Sequence, residues 1–331
     1  MVLDDFPVHL CQPRPGLACG ACCGLYNHAD SRAETLRPRL RERTRLAAEM
    51  RGEDDWPERY AEIIKGREPT GRLYETIYTC EYLGYVDDGE RRVGCLLHPL
   101  LNDGKDLRDH SFYGREICAG HFCPSYTYLT EAEQRAVVAA CDDWYLYGAV
   151  VTDIDLVKDV FAQAERALAE SIRADVVERP GPARALGDLF RLRFAWPWRA
   201  EGMPRFGKYY FLGEDYGIAE VNYAEVGAAP SRFDRILRAF ESRFETIDAL
   251  REAESRVEGH LDAFVGAYDR ARADVREESR ARVEIQIEAR RPGGGEKNEE
   301  RAEKGGVCSA LSGRSGPNEP KRQGMRTWTR E

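Results

Sequence analysis

Cys19-Gly-Ala-Cys22-Cys23-Gly24 is the stretch around which the first third of this chain is organised. It places three thiols within five residues and flanks them with glycines, whose missing side chains let a backbone fold closely around an ion. Without a metal, thiols gain no stability from lying so close together. A bound cation, in contrast, stabilises the thiolates and takes up their charge. The stretch therefore predicts a metal site.

The adjacent pair Cys22-Cys23 distinguishes this stretch from a zinc finger, in which the ligands come as separated pairs around one tetrahedral ion. Neighbouring side chains project in different directions, so we expect the pair to serve two metals, or one metal and another group. A thioredoxin-type interpretation of Cys19-x2-Cys22 requires a strand before the motif and a helix after it, and the neighbouring residues show no such pattern.

Five further cysteines accompany this stretch between residues 11 and 123. Eight thiolates complete two four-cysteine sites, either two iron–sulfur clusters or two zinc ions. His121 is the alternative ligand, since neutral imidazole also binds zinc, and the sequence leaves open whether Cys11 or His121 completes the set. The predicted metal ligands are Cys11, Cys19, Cys22, Cys23, Cys80, Cys95, Cys118 and Cys123.

These motifs resemble the zinc- or iron-chelating CxxCxxCC family, the YkgJ-type cysteine-cluster proteins, which also includes flagellin lysine-N-methylases. Two positions depart from the family pattern: Gly16 stands where its first cysteine falls, so Cys11 takes that role only with a five-residue insertion, and Ala119 replaces a common arginine. The resemblance implies a metal site and names no substrate. It covers residues 11–126 and rests on Cys19-Gly-Ala-Cys22-Cys23, Cys80-Glu-Tyr-Leu-Gly, Gly94-Cys95-Leu-Leu-His-Pro and Cys118…Cys123-Pro, in that order.

Composition and charge exclude several classes of protein. The chain has 331 residues and a net charge of −9, which favours neither nucleic acid nor an anionic membrane as a partner. No apolar run has the length of a membrane span, and the N-terminus lacks the basic and apolar regions of a secretory signal. We therefore expect a cytoplasmic protein, in which ten cysteines stay reduced instead of forming disulfides.

Periodicity predicts a mainly α fold in three parts. Residues 1–127 form an irregular Cys-rich metal-binding module interrupted by one helix from Ser31 to Met50. Residues 128–288 form a helical domain with one β-hairpin near 204–224. Residues 289–331 form a disordered tail, because this Gly-, Ser- and charge-rich segment cannot bury enough apolar surface to order itself, and Cys308 within it has no function.

Start signals locate the helices of the second part. Thr130-Glu-Ala-Glu133 is a capping-box pattern, and Val137, Cys141, Trp144 and Tyr145 continue one apolar face beyond it, which predicts that Cys141 packs in the core. Further helices are expected from Thr152, over 183–194 and from Ser231. The last helix carries an apolar seam over residues 247–268, which either packs within the chain or mediates a protein partner or self-association.

Three functions remain open. The first is a metal-binding protein whose iron–sulfur cluster or zinc serves structure or redox chemistry. The second is an enzyme, a protein lysine methyltransferase resembling the flagellin methylases, for which the sequence contains no S-adenosylmethionine motif. The third is a zinc-stabilised interaction scaffold that uses the seam over 247–268. No catalytic residue is predicted.

Overall fold

The computed structural model describes residues 9–202, 204–206 and 219–289, and within these ranges the protein is mainly helical, as the sequence predicts. No helix of the described residues is both long enough and apolar enough to cross a membrane. The helices are α1 (Ala33–Met50), α2 (Trp56–Arg67), α3 (Gly114–Gly120), α4 (Ser125–Tyr128), α5 (Glu131–Ala140), α6 (Trp144–Val151), α7 (Ile154–Leu168), α8 (Ala174–Val177), α9 (Pro180–Arg191), α10 (Asp234–Ala239) and α11 (Ile247–Ala289).

The two-stranded sheet of the described residues lies in the Cys-rich part of the chain. Strands β1 (Leu83–Tyr85) and β2 (Val93–Cys95) pair antiparallel across a turn at Asp87-Asp-Gly89, with Leu83 opposite Cys95. Most of the hairpin predicted near 204–224 lies outside the described residues. Its described end is not a strand, because 219–222 have no regular structure and Tyr223–Val226 forms a 3-10 turn. The predicted tail beyond Ala289, including Cys308, also lies outside them.

Capping explains where α5 begins and where it ends. The Thr130 hydroxyl accepts a hydrogen bond from the Glu133 backbone at 3.3 Å, and the Glu133 carboxylate accepts one from the Thr130 backbone at 2.7 Å, which confirms the predicted capping box. The prediction of one continuous helical face to Tyr145 is wrong, because the chain leaves the helix at Cys141 and Asp143 starts α6. Cys141 is nevertheless buried in the core, as predicted.

The predicted starts of the later helices are confirmed at Asp153, which caps α7, and near Ser231, just before α10. The helix expected over 183–194 begins earlier, because Pro180 supplies the fixed φ that suits a first helical position, and it ends at Arg191. The seam of α11 is buried against helices of the same chain, so its apolar side chains are not open to a partner. These buried side chains include Leu250, Val257, Leu261, Phe264 and Tyr268.

Side chains from both sides of residue 127 pack together, so the Cys-rich part and the helices share a core. Leu10 and Leu17 lie in the same hydrophobic cluster as α5, α6 and α7. The Tyr26 hydroxyl donates to the Tyr145 carbonyl at 2.7 Å, and the Tyr147 hydroxyl donates to the Leu10 carbonyl at 2.8 Å. The domain boundary at 127 stays a prediction. The residues on its two sides that are named here pack against each other.

Candidate metal centre

A tight turn positions the first cysteine stretch against the rest of the module. Residues Ala21–Cys23 form a 3-10 turn that ends at Gly24, whose φ of 79° is in the left-handed region. A side chain at Gly24 would meet the Tyr78 carbonyl oxygen at 2.2 Å, so only glycine allows the two backbones to come so close. The Cys80 backbone N–H then donates to the Cys23 carbonyl at 2.9 Å, which fixes these two cysteines side by side.

Cys11 lies beside Cys19 although seven residues separate them. The intervening chain turns back through a bridge between Arg14 and Leu17, and the Cys19 N–H donates to the Cys11 carbonyl at 3.0 Å. The seven residues between these cysteines are therefore taken up in a local turn.

The remaining predicted ligands come from the hairpin and from the segment after it. Cys80 precedes β1, and Cys95 is the last residue of β2. Cys118 lies in α3, where its sulfur is 3.4 Å from the Ser111 hydroxyl. Cys123 precedes α4, and the hydroxyl of Tyr126 in α4 lies 3.7 Å from the Cys11 sulfur, which brings the two ends of the module together.

Electrostatic interactions divide the eight thiols into two sets. Burial and the charge of Cys22 raise the pKa of Cys11 to about 12, and burial and Cys22 likewise raise the pKa of Cys19 and of Cys123. Charges on Cys22 and, more weakly, on Cys123 act on Cys11 and Cys19, whose backbones are hydrogen-bonded to each other. We call Cys11, Cys19, Cys22 and Cys123 the first thiol group.

The other four thiols form a second neighbourhood. The hydrogen bond with Cys22, burial and then the charges of Cys80 and Cys95 raise the pKa of Cys23. Burial and Cys95 raise the pKa of Cys80, while burial raises the pKa of Cys95 to about 11 with a further contribution from Cys118. We call Cys23, Cys80, Cys95 and Cys118 the second thiol group. The adjacent Cys22 and Cys23 are hydrogen-bonded to each other, which lowers the pKa of Cys22 and joins the two groups.

Backbone N–H groups point at the sulfurs of four of these cysteines. Each donor is two residues further along the chain, and each hydrogen bond lowers the pKa of its thiol, although burial raises that pKa by more. A turn that aims an N–H at sulfur favours the thiolate, which is the form that binds metal. The pairs are Ala21 with Cys19, Tyr82 with Cys80, Leu97 with Cys95, and Ser125 with Cys123.

Two arginines lie beside the second thiol group. The Arg43 guanidinium is buried, forms an ion pair with Glu68 at 2.7 Å and donates to the Cys80 carbonyl at 2.8 Å. Arg108 lowers the pKa of Cys95, although burial of that thiol has the larger and opposite effect. Positive charge at these positions favours an anionic cluster of thiolates. Neither arginine was predicted as part of the site, since no spacing rule connects them to the cysteines.

Neighbouring thiols are not yet a coordination sphere. In the part of the chain that the structure describes, no three side chains among His, Cys, Asp and Glu have an arrangement that would hold a metal ion. The alternative ligand His121 follows α3 and is exposed. His98 caps a turn, because its Nδ1 accepts a hydrogen bond from the Leu100 N–H at 3.2 Å. The eight thiols suit a metal site in their chemistry, and binding would have to draw them together.

Comparison of the chain with protein-family models, with curated proteins and with solved structures finds no match among any of them.

Proposed function

We propose that this protein binds metal at two four-cysteine sites, as iron–sulfur clusters or zinc, and that the metal serves structure or redox chemistry. One observation carries the proposal: the backbone bonds of Cys19 with Cys11 at 3.0 Å and of Cys80 with Cys23 at 2.9 Å bring cysteines from separate stretches of the chain side by side. Four thiolates are the full ligand set of a structural zinc ion or of an iron–sulfur cluster.

The state of the thiols also favours this function. Burial, hydrogen bonding and mutual repulsion raise the pKa of six of the eight thiols, so removing their protons costs free energy in the absence of a cation, whereas the hydrogen bond with Cys23 lowers the pKa of Cys22. A bound cation would offset that cost, and metal binding would then stabilise the fold. Each site would also cross-link distant parts of the chain, since one would join Cys11 to Cys123 and the other would join Cys23 to Cys118.

The alternatives receive less support. The seam over 247–268, on which an interaction scaffold would depend, is buried in the chain's own core. The methyltransferase rests on the family resemblance, and no feature of the described residues adds to it. The metal-binding function is the one to test first.

Anaerobic purification of the full chain, followed by metal and sulfide analysis and a visible spectrum, tests the proposal. We expect two ions or two clusters per chain. Iron with acid-labile sulfide identifies clusters, whereas stoichiometric zinc in a colourless solution identifies zinc sites. Cys22→Ser and Cys23→Ser should each lower the metal content by about half, because each removes a ligand from a different four-cysteine site.

Cys141→Ser is the matched control, since Cys141 is a buried cysteine outside both groups. Far-UV circular dichroism of each variant distinguishes metal loss from unfolding. A wild-type chain without stoichiometric metal would refute the proposal, and so would equal metal loss in the Cys22 and Cys141 variants.

A further inference from the structure

Arg39 differs from the other arginines of helix α1, because within the described residues no carboxylate is hydrogen-bonded to it. Its side chain is 11% exposed, its Nε lies 3.6 Å from a Glu68 oxygen, and its Nη1 is buried without a hydrogen-bond partner. A guanidinium held away from water with its donors unused costs free energy. The other arginines of α1 donate to carboxylates: Arg37 to Asp143, Arg41 to Glu90, Arg43 to Glu68, and Arg45 to Glu42 and Glu49.

The carboxylate beside Arg39 is already paired with another arginine. Both oxygens of Glu68 accept hydrogen bonds from the Arg43 guanidinium at 2.7 Å, and Arg43 also donates to the Cys80 carbonyl at 2.8 Å. Arg43 is buried, so this pair is held firmly in place. Glu68 carries one negative charge and faces two guanidiniums, which leaves the charge of Arg39 unmatched.

A second guanidinium without a carboxylate, that of Arg72, comes from a short ribbon of two segments. Residues 27–29 run antiparallel to residues 71–73, joined by backbone hydrogen bonds of 2.9 and 3.0 Å, and His28 lies opposite Arg72. Side chains of opposite residues in such a pair project to the same side. Within the described ranges the Arg72 side chain has no ion pair, and its guanidinium lies 5.2 Å from the centre of the Tyr78 ring.

Helix α1 presents Arg39 to this ribbon. The Thr35 hydroxyl donates at 2.8 Å to the carboxylate of Asp30, which directly follows the first segment of the ribbon. Arg39 follows Thr35 by four residues and precedes Arg43 by four, so the three side chains share one face of the helix. Arg39 therefore lies between the contact with Asp30 and Arg43. Asp30 does not supply the missing negative charge, because Arg32 pairs with it at 2.6 Å.

His28 lies where these positive charges come together. It is 5% exposed, and burial followed by the charges of Arg39, Arg43 and Arg72 lowers its pKa to about 2. His28 is therefore neutral near pH 7 and adds no positive charge. Three guanidiniums against the one carboxylate of Glu68 leave an excess of two positive charges around this ring. Arg72 is half-buried, so an anion can approach the group from its side.

We propose that His28, Arg39 and Arg72 form a binding site for a phosphate group, either inorganic phosphate or the phosphate of a small ester. A phosphate monoester carries about two negative charges near neutral pH, which matches the excess of positive charge. A planar guanidinium donates two parallel hydrogen bonds to phosphate oxygens, so Arg39 and Arg72 would each supply a pair of donors. Binding makes and breaks no covalent bond. No thiol takes part, so the site is independent of metal binding.

Isothermal titration calorimetry of the full chain at constant ionic strength tests this site, with inorganic phosphate, glycerol 3-phosphate and acetate as probes. We expect both phosphates to bind with a dissociation constant below about 1 mM, and acetate to bind at least about tenfold more weakly. Arg39→Gln and Arg72→Gln should each weaken phosphate binding by at least about tenfold, because each removes charge-assisted hydrogen bonds. The tighter of the two phosphates identifies the source of the group.

Arg41→Gln is the matched control, since Arg41 lies on the same helix but pairs with Glu90, and it should leave the dissociation constant unchanged. Thermal unfolding gives a readout besides affinity. Without phosphate, Arg39→Gln should unfold at the same temperature as the wild type or higher, because it removes a charge that has no hydrogen-bonded partner. Phosphate should raise the unfolding temperature of the wild type, but not that of Arg39→Gln or Arg72→Gln.

Absence of phosphate binding by the wild type would overturn the proposal. Equal affinity of the wild type and Arg39→Gln for phosphate would do the same, and so would equal affinity of the wild type for phosphate and acetate. None of these results bears on the metal sites, whose test is the metal content of the chain.

Discussion

Gly24 shows how one missing side chain determines the distance between distant parts of the cysteine module. Its left-handed backbone ends the turn that carries Cys22 and Cys23, and the chain at Tyr78 passes where a side chain would be. The sequence predicts that glycines beside the thiols allow close folding. It does not predict which backbone approaches, because Tyr78 lies 54 positions further on and no local pattern connects the two.

Gly24→Ala should destabilise the metal-free protein by about 2–5 kcal/mol, which combines about 1–2 kcal/mol for a left-handed residue with about 1–3 kcal/mol for overpacking. Urea unfolding followed by circular dichroism measures the change. Gly104→Ala is the matched control, since Gly104 has a φ of 82° but open space around it. This variant should lose only the free energy that a left-handed backbone costs a residue other than glycine. Equal losses in the two variants would mean that the approach of Tyr78 is unimportant.

At the scale of elements, short sequence patterns predicted the start of a helix correctly where a capping residue determines it. The capping box predicted the start of α5 because its hydrogen bonds join residues three apart. The end of α5 was missed because Val137, Cys141, Trp144 and Tyr145 keep helical spacing across the break. The overlooked signal was Asp143, whose side chain starts a new helix. α2 was not predicted either, although Asp55 and Pro57 stand at its beginning.

Asp143→Ala tests the break between α5 and α6. The Asp143 carboxylate accepts a hydrogen bond from the Leu146 N–H at 2.7 Å, and its loss should cost about 0.5–2 kcal/mol of the free energy of unfolding. Asp142→Ala is the control, because Asp143 pairs with Arg37 and Asp142 likewise pairs with Arg191, but Asp142 caps no helix. An exposed ion pair of that kind contributes about 0–1 kcal/mol to the free energy of unfolding. A larger loss from Asp142→Ala in denaturant titration would contradict the capping role.

For the molecule as a whole, the class of fold and the set of candidate ligands came from local patterns, whereas their grouping did not. Helical periodicity and cysteine spacing are both properties of short stretches of sequence. The thiol groups interleave along the chain, with Cys11 and Cys123 enclosing all four members of the other group. Only the turns and the hairpin determine which thiols meet, and these depend on contacts between residues far apart in sequence.

A fragment of residues 1–127 should not fold cooperatively, because Leu10, Tyr26 and Ser31 lose their hydrogen-bond partners in α6. Residues 1–283, which form one compact unit, should unfold in a single transition. Thermal unfolding of the two fragments, monitored by near-UV circular dichroism, compares them. A cooperative transition in the shorter fragment would show that the Cys-rich part is an independent domain.

The interleaving of the two thiol groups also has a consequence for synthesis. Cys123 leaves the ribosome 112 residues after Cys11, an interval of about 6–22 s at about 5–20 residues per second. Throughout that time the nascent chain displays an incomplete set of thiols to whatever oxidant or foreign ion is nearby. Under the proposed function, the order in which these thiols emerge would help to decide, during translation, which metal the protein acquires.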